Sequence, residues 1–224
     1  MSRVLPILFN TDMVRAILDG RKTVTRRLPS KRIENMWNDY CDYVSAVATT
    51  DCMSFTEKQF YEQYPPCQPG DILYVRETWN YGYIETSDIP GSNESWFESV
   101  RPDGEYGEYI KALSRYFYKA DVDAPGKEVY MIWRPSIHMP KKAARIWLKV
   151  TDVRVERLQD INDKESEKEG FPLEKEIHYT EEGCPTNDFA ELWDSTIKKK
   201  DLDRYGWENN PWVWVVEFDR CGKN

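Results

Sequence analysis

The chain has 224 residues, 31 basic and 39 acidic, for a net charge of −8, with 40% hydrophobic and 14% aromatic residues. That length can bury a substantial core, and the acidic balance argues against a general coat for polyanions such as duplex DNA. No run of about 18 apolar residues occurs, so no membrane span is expected, and Met1-Ser2-Arg3 ahead of a short β-type run does not make a signal peptide.

Residues 4–9 read as a first strand. Asn10 or Thr11 is the expected cap of a helix over 11–19, in which Met13, Ala16 and Ile17 share a face, and Gly20 stands where a left-handed C-cap belongs. Thr23-Val24-Thr25 is β-prone, so a helix hands over to a strand within a few residues. Residues three apart on a strand face opposite ways, so Lys22 and Thr25 converge only if Lys22 belongs to the turn. Residues 33–68 read as an insertion with helices ahead of a Pro69-Gly70-Asp71 turn, followed by a strand over 72–79. Residues 81–127, rich in Gly, Ser, Pro and acids, read as a second insertion of long loops around a strand near 116–119. A long strand is expected over 144–158, with a phase change near Thr151-Asp152 that suggests a bulge. Helices follow near 162–169, capped by Asn162, and over 187–199, where Phe189, Leu192, Trp193 and Ile197 share a face. Residues 212–218 form a final strand, with Pro211 placed where a proline does least harm. Short strands, few helices and a returning C-terminal strand suggest an α+β domain built on a closed or partly open barrel, one domain over 1–224 with two insertions.

Charge is unevenly placed. Residues 15–32 carry seven basic side chains (Arg15, Arg21, Lys22, Arg26, Arg27, Lys31, Arg32) against Asp19 alone, and residues 131–150 carry Arg134, Lys141, Lys142, Arg145 and Lys149 with no acid. Acids gather in 85–108 and 156–182. A basic cleft on an acidic body suits a nucleoside, a nucleotide or a short single-stranded nucleic acid better than duplex. Five cysteines (Cys41, Cys52, Cys67, Cys184, Cys221) make no CxxC pair, and His138 and His178 join no cluster. Neither a metal nor a cofactor is expected, and reduced thiols in the cytoplasm are.

The densest chemistry lies in Asp19-Gly20-Arg21-Lys22-Thr23-Val24-Thr25-Arg26-Arg27. A partly desolvated Lys22 beside Arg21 and Arg26 has its charged form disfavoured and becomes a usable base, with Thr25 as the hydroxyl it would activate. Arg76 and Glu77 are strand neighbours, so one of them points inward and must be paired or face a ligand. Trp79 is either a stacking platform or core. The proline-bracketed loop 133–142 presents Arg134 for a phosphate and Ser136 or His138 for a base edge or sugar.

Gly20-Arg21-Lys22-Thr23-Val24-Thr25-Arg26-Arg27 resembles the GxKxxT signature of ASCH domains, relatives of the PUA-like RNA-binding barrels. Residues 69–79, 133–140, 153–161 and 210–218 are similar, in order, to the phage and prophage branch of that family. The resemblance implies a PUA-like β-barrel with peripheral helices. It also implies kinship with amidohydrolases that release the acyl group from N4-acetylcytidine, whose lysine and threonine match Lys22 and Thr25. Their glutamate falls at Glu169, with Glu165 and Glu167 as near neighbours. On this reading Lys22, Thr25 and Glu169 are catalytic, and Arg21, Arg26, Arg76, Glu77, Trp79, Arg134, Ser136 and His138 contact substrate. A non-catalytic module binding RNA, single-stranded DNA or a modified base, and a ribonuclease, are the competing expectations.

Overall fold

The computed structural model describes residues 2–47, 55–86, 95–122, 132–170 and 185–223. Strand β1 (Val4–Leu8) leads through Asn10, whose side chain accepts the Met13 N–H at 2.8 Å, into helix α1 (Thr11–Leu18). The helix stops as its residues dictate. Gly20, at φ +78°, reverses the chain, its N–H bonding to Ile17 O while the Arg21 N–H returns to Ala16 O at 2.9 Å, a Schellman closure. Strand β2 (Val24–Arg27) follows, then helices α2 (Lys31–Val47) and α3 (Glu57–Glu62) in the first insertion.

The expected strand over 72–79 is two strands. Strand β3 (Ile72–Arg76) ends before Glu77, and β4 (Trp79–Thr86) joins a different sheet. The break has a physical cause: Glu77 is buried and held by Arg145, and at Trp79 the backbone exchanges hydrogen bonds with Arg134. The described residues of the second insertion hold strands and helices where long loops were expected. Strands β5 (Ser95–Ser99) and β6 (Arg115–Tyr118) flank β4 in a three-stranded antiparallel sheet, with helices α4 (Glu108–Leu113) and α5 (Lys119–Val122) beside it.

Strand β7 (Trp147–Arg157), helices α6 (Asp163–Lys168), α7 (Pro185–Thr196) and α8 (Leu202–Tyr205), and strand β8 (Trp212–Cys221) complete the chain. The β7–β8 register slips between Val150 and Asp152, where the hydrophobic phase changes. The larger sheet has the order β1-β3-β7-β8-β2, with β1 parallel to β3 and the other pairs antiparallel. The fold is therefore α+β. Among the described residues the sheet does not close by strand pairing: β1 and β2 are its edges. Between these edges the Arg27 side chain of β2 reaches β1, its Nη2 donating to Leu8 O at 2.6 Å.

Both faces of the sheet are covered at β8, and so Val213–Val216 is buried throughout. Val216 and Phe218 face α1 through Phe9, Val14 and Ile17, whereas Val213 and Val215 face α7 through Phe189 and Trp193. A third apolar cluster, including Trp79, Met139 and Trp147, joins the two sheets. Among the described residues no helix is long and apolar enough to cross a membrane. Nor does any group of three or more His, Cys, Asp or Glu side chains there suit a metal ion. His178, Cys52 and Cys184 lie outside the described residues.

Candidate active site

Two helix ends meet back to back. Helix α1 closes at Gly20, and α6, capped at its start by Asn162, closes at Glu169 and Gly170. Gly170 has φ +92°, and a Cβ there would lie 2.7 Å from both the Ala16 and the Lys22 Cβ atoms, so only glycine fits the junction. Two backbone links and one side chain tie the ends together: Thr23 N–H donates to Lys168 O at 2.9 Å, Lys22 pairs with Glu169 as an isolated bridge, and the Arg21 side chain donates through Nη1 to Gly170 O at 2.6 Å. Lys22 thus lies between the end of α1 and the start of β2, bridged to Glu169.

That junction places Lys22 against Glu169. The ammonium sits 2.5 Å from Glu169 Oε2, donates to Glu169 O at 2.9 Å, and lies 5.7 Å from the centre of the Phe9 ring. Its side chain is 0% exposed and that of Glu169 5%. Burial draws the Lys22 ammonium below the ordinary lysine range. Glu169 opposes that pull, and Arg27 and Arg26 reinforce it. From the other side Arg26 donates through Nη1 to Glu169 Oε1 at 3.1 Å and through Nη2 to Glu165 Oε2 at 2.9 Å. Glu165 accepts in turn from Arg154 at 3.0 Å, and Arg154 also binds Glu156, Asp152 and Glu217. Glu165 and Glu169, one helical turn apart, therefore have different tasks, and Glu169 is the one paired with Lys22.

Thr25 is buried on β2 opposite Val216. Strand alternation puts it on the face of Arg27, whose guanidinium lies 5.1 Å from the Phe9 ring centre, the ring that Lys22 also approaches. Among the described residues its hydroxyl makes no hydrogen bond to Lys22 or Glu169. Beside the junction opens a cleft of about 330 Å³, lined by Asn10, Asp12, Met13, Arg15, Arg21, Glu169, Gly170 and Leu192. Of the three residues expected to be catalytic, Glu169 alone reaches its wall.

The other expected contacts divide. Arg21 lines the cleft, but Arg26 is buried and committed to Glu169 and Glu165, so its cation serves the protein. Arg76 donates to Met139 O at 2.8 Å. Glu77 is held by two bonds from Arg145, at 2.9 and 3.0 Å, and burial raises its carboxyl above the usual range despite them. Trp79 is core. Arg134 lies 5.4 Å from the Trp79 ring centre and donates to Ser99 Oγ and Val100 O. Ser136 and His138 form a short 3-10 turn on which His138 is exposed. None of these last six lines the cleft beside Glu169. Part of the basic excess of residues 15–32 is neutralised: Arg15 meets Asp12, Arg21 meets Asp19, and Lys22 and Arg26 meet Glu169 and Glu165. Sequence reasoning missed Arg154, Glu156 and Gly170. The Glu169-Gly170 pair after a capped acidic helix was the available signal, since a C′ glycine marks the turn that aims the residue before it.

Comparison with family models, with curated proteins and with solved structures found no match.

Proposed function

We propose that the chain is an ASCH-type amidohydrolase on a PUA-like barrel whose seam stays unpaired between β1 and β2. It removes an acyl group from the exocyclic amine of an N4-acylated cytidine or a similar modified base. The observation that carries this reading is the buried Lys22–Glu169 pair, with its lowered ammonium and with Glu169 at the wall of the cleft. A cleft of about 330 Å³ is at the small end of the usual range for ligand sites and suits a nucleoside.

In the proposed reaction Lys22, once it has given up its own proton, takes the Thr25 proton as the hydroxyl oxygen bonds to the acyl carbon. Collapse of the adduct breaks the C–N bond, and the leaving amine receives that proton back from Lys22. Water, deprotonated by Lys22, then attacks the acyl–threonine ester; the C–O bond to threonine breaks, Lys22 returns the proton to the Thr25 oxygen, and a carboxylic acid is released. Glu169 holds the Lys22 amine in line and offsets the cation formed in each half-reaction. The setting is the bacterial cytoplasm, and neither metal nor cofactor takes part.

A second reading has its own support. Lys22 and Thr25 are each only 2% exposed and neither lines the cleft, as expected of a module that binds a modified base or single strand without chemistry. Chromatography of the purified protein with a panel of N4-acylated cytidines, and with unmodified RNA alongside, separates the two. Deacylation abolished by Thr25→Ala, with the variant still folded, supports the hydrolase. Saturable oligonucleotide binding without turnover supports the module, and RNA shortening makes the protein a nuclease.

A further inference from the structure

Glu169 is claimed twice. Lys22 takes Oε2 at 2.5 Å and Arg26 takes Oε1 at 3.1 Å, with the Arg26 side chain 1% exposed and placed between Glu169 and Glu165. Arg26 cannot turn toward a ligand in the cleft without leaving both carboxylates. Its far amino group is fixed by Glu165, Glu165 is fixed by Arg154, and Arg154 is anchored by Glu156, Asp152 and Glu217 across β7 and β8. A chain of alternating charges thus runs from the partly exposed residues beside the β7–β8 bulge to the buried carboxylate, each link a hydrogen-bonded pair.

The chain has a consequence at Lys22. A carboxylate with a single buried cationic partner pins that cation in its charged form, because the cation's neutralisation would strand the anion. With Arg26 on the opposite oxygen, Glu169 stays compensated whichever form Lys22 takes. We infer that Arg26 is a positioning residue, which holds the Glu169 carboxylate independently of Lys22 and so frees Lys22 to give up and retake a proton. Glu165 and Arg154 hold Arg26 in turn. The inference rests on the hydrolase reading for its use in catalysis, whereas the effect on the proton of Lys22 is a property of the protein itself.

Among the described residues the charged groups facing this centre come from every element packed against it, and α1 with its cap supplies Asp12 and Arg15 at the cleft wall and Asp19 paired with Arg21. The turn supplies Lys22, and Arg21 bound to Gly170 O; β2 supplies Arg26 and Arg27; α6 supplies Glu165 and Glu169; β7 and β8 supply Asp152, Arg154, Glu156 and Glu217. Burial lowers the Lys22 ammonium and Glu169 raises it, with Arg27 and Arg26 both lowering it. Removing Arg26 takes away one lowering cation and leaves Glu169 wholly to Lys22, so both changes act upward.

The test is a side-chain titration of Lys22, followed through its ¹³Cε shift in lysine-labelled protein, for the wild type, Arg26→Gln, Arg26→Lys and Arg154→Gln. The expected result is a Lys22 midpoint about one pH unit higher in Arg26→Gln, hence about tenfold less free amine below the midpoint. Arg26→Lys should recover part of the change, since one ammonium serves one oxygen well and not two carboxylates at once. Arg154→Gln, acting through Glu165, should move the midpoint the same way by less, and it carries the test should Arg26→Gln fail to fold. A midpoint that stays or falls in Arg26→Gln, or in Arg154→Gln where that variant carries the test, overturns the inference. Where N4-acylcytidine is hydrolysed, the acid limb of kcat against pH should follow the Lys22 midpoint upward with KM unchanged; a limb that stays put refutes the catalytic use. A wild type without hydrolase activity but with the expected titrations refutes the hydrolase reading alone.

Discussion

Replacing Glu169 with Gln keeps the shape of the side chain and removes the charge that Lys22 and Arg26 share at 2.5 and 3.1 Å. Arg26 retains Glu165 at 2.9 Å, but Lys22, 0% exposed, is left without an acid among the described residues. A buried ammonium without a partner either stays charged at a cost of several kcal/mol or gives up its proton. Neutralising a lysine of ordinary value, about 10.4, at pH 7 costs about 4.6 kcal/mol, which caps the penalty from that group. Urea denaturation at pH 7 should therefore show Glu169→Gln losing about 3–4 kcal/mol with an unchanged m-value. Lys22→Met should lose less, under about 2 kcal/mol, because Glu169 keeps Arg26 and the new side chain packs toward Phe9. The pH dependence has a definite sign. In the variant the folded-state ammonium falls further below its unfolded value, so between the two values the unfolded state binds more protons and stability rises with pH. The Glu169→Gln deficit should shrink between pH 7 and about pH 9.5. A loss below about 1 kcal/mol, a loss equal to that of Lys22→Met, or a deficit that grows with pH refutes the account of the pair.

The two positive-φ glycines beside the site should respond unequally to alanine. Gly20→Ala meets no atom within 4 Å and should cost about 1 kcal/mol, whereas Gly170→Ala adds contacts of 2.7 Å to Ala16 and Lys22, should cost about 2–4 kcal/mol, and should displace Glu169; denaturation midpoints compare them. Arg145→Met strands the buried Glu77 carboxylate, whose raised value favours its protonated form. The variant's deficit, about 3–5 kcal/mol at pH 7, should therefore shrink on acidification toward pH 4 as Glu77 takes up a proton, which thermal melts across that range would record. Asp71 accepts from Arg3 N, Arg3 Nε, Arg3 Nη2 and Gln68 N; burial raises its carboxyl, but these bonds outweigh it and hold the value below the usual range. Asp71→Asn should lose about 1–3 kcal/mol at neutral pH and lose less relative to wild type under acid, since protonation removes the same bonds.

Local rules carried a good part of the structure. Asn10, the 3.6-residue spacing of α1 and Gly20 specify a capped helix and its left-handed stop without reference to the rest of the chain, and Asn162 does the same for α6. The phase change at Thr151-Asp152 marks a slip that alternation makes visible, because a one-residue shift moves every later side chain to the other face. Strand geometry required Lys22 to leave the strand only if it converges with Thr25, and a resemblance to ASCH domains singled out Lys22, Thr25 and Glu169. What only the tertiary structure decided is which charges meet. The basic run at 15–32 read as a basic cleft because the acids that meet Lys22 and Arg26 lie about 140 residues further on, at Glu169 and Glu165. The strand over 72–79 looked continuous because the charge that breaks it, Glu77, is matched by Arg145, 68 residues away. Periodicity and capping are properties of neighbouring residues and can be read in order; pairing of buried charges depends on long-range closure, and no window along the chain contains both partners.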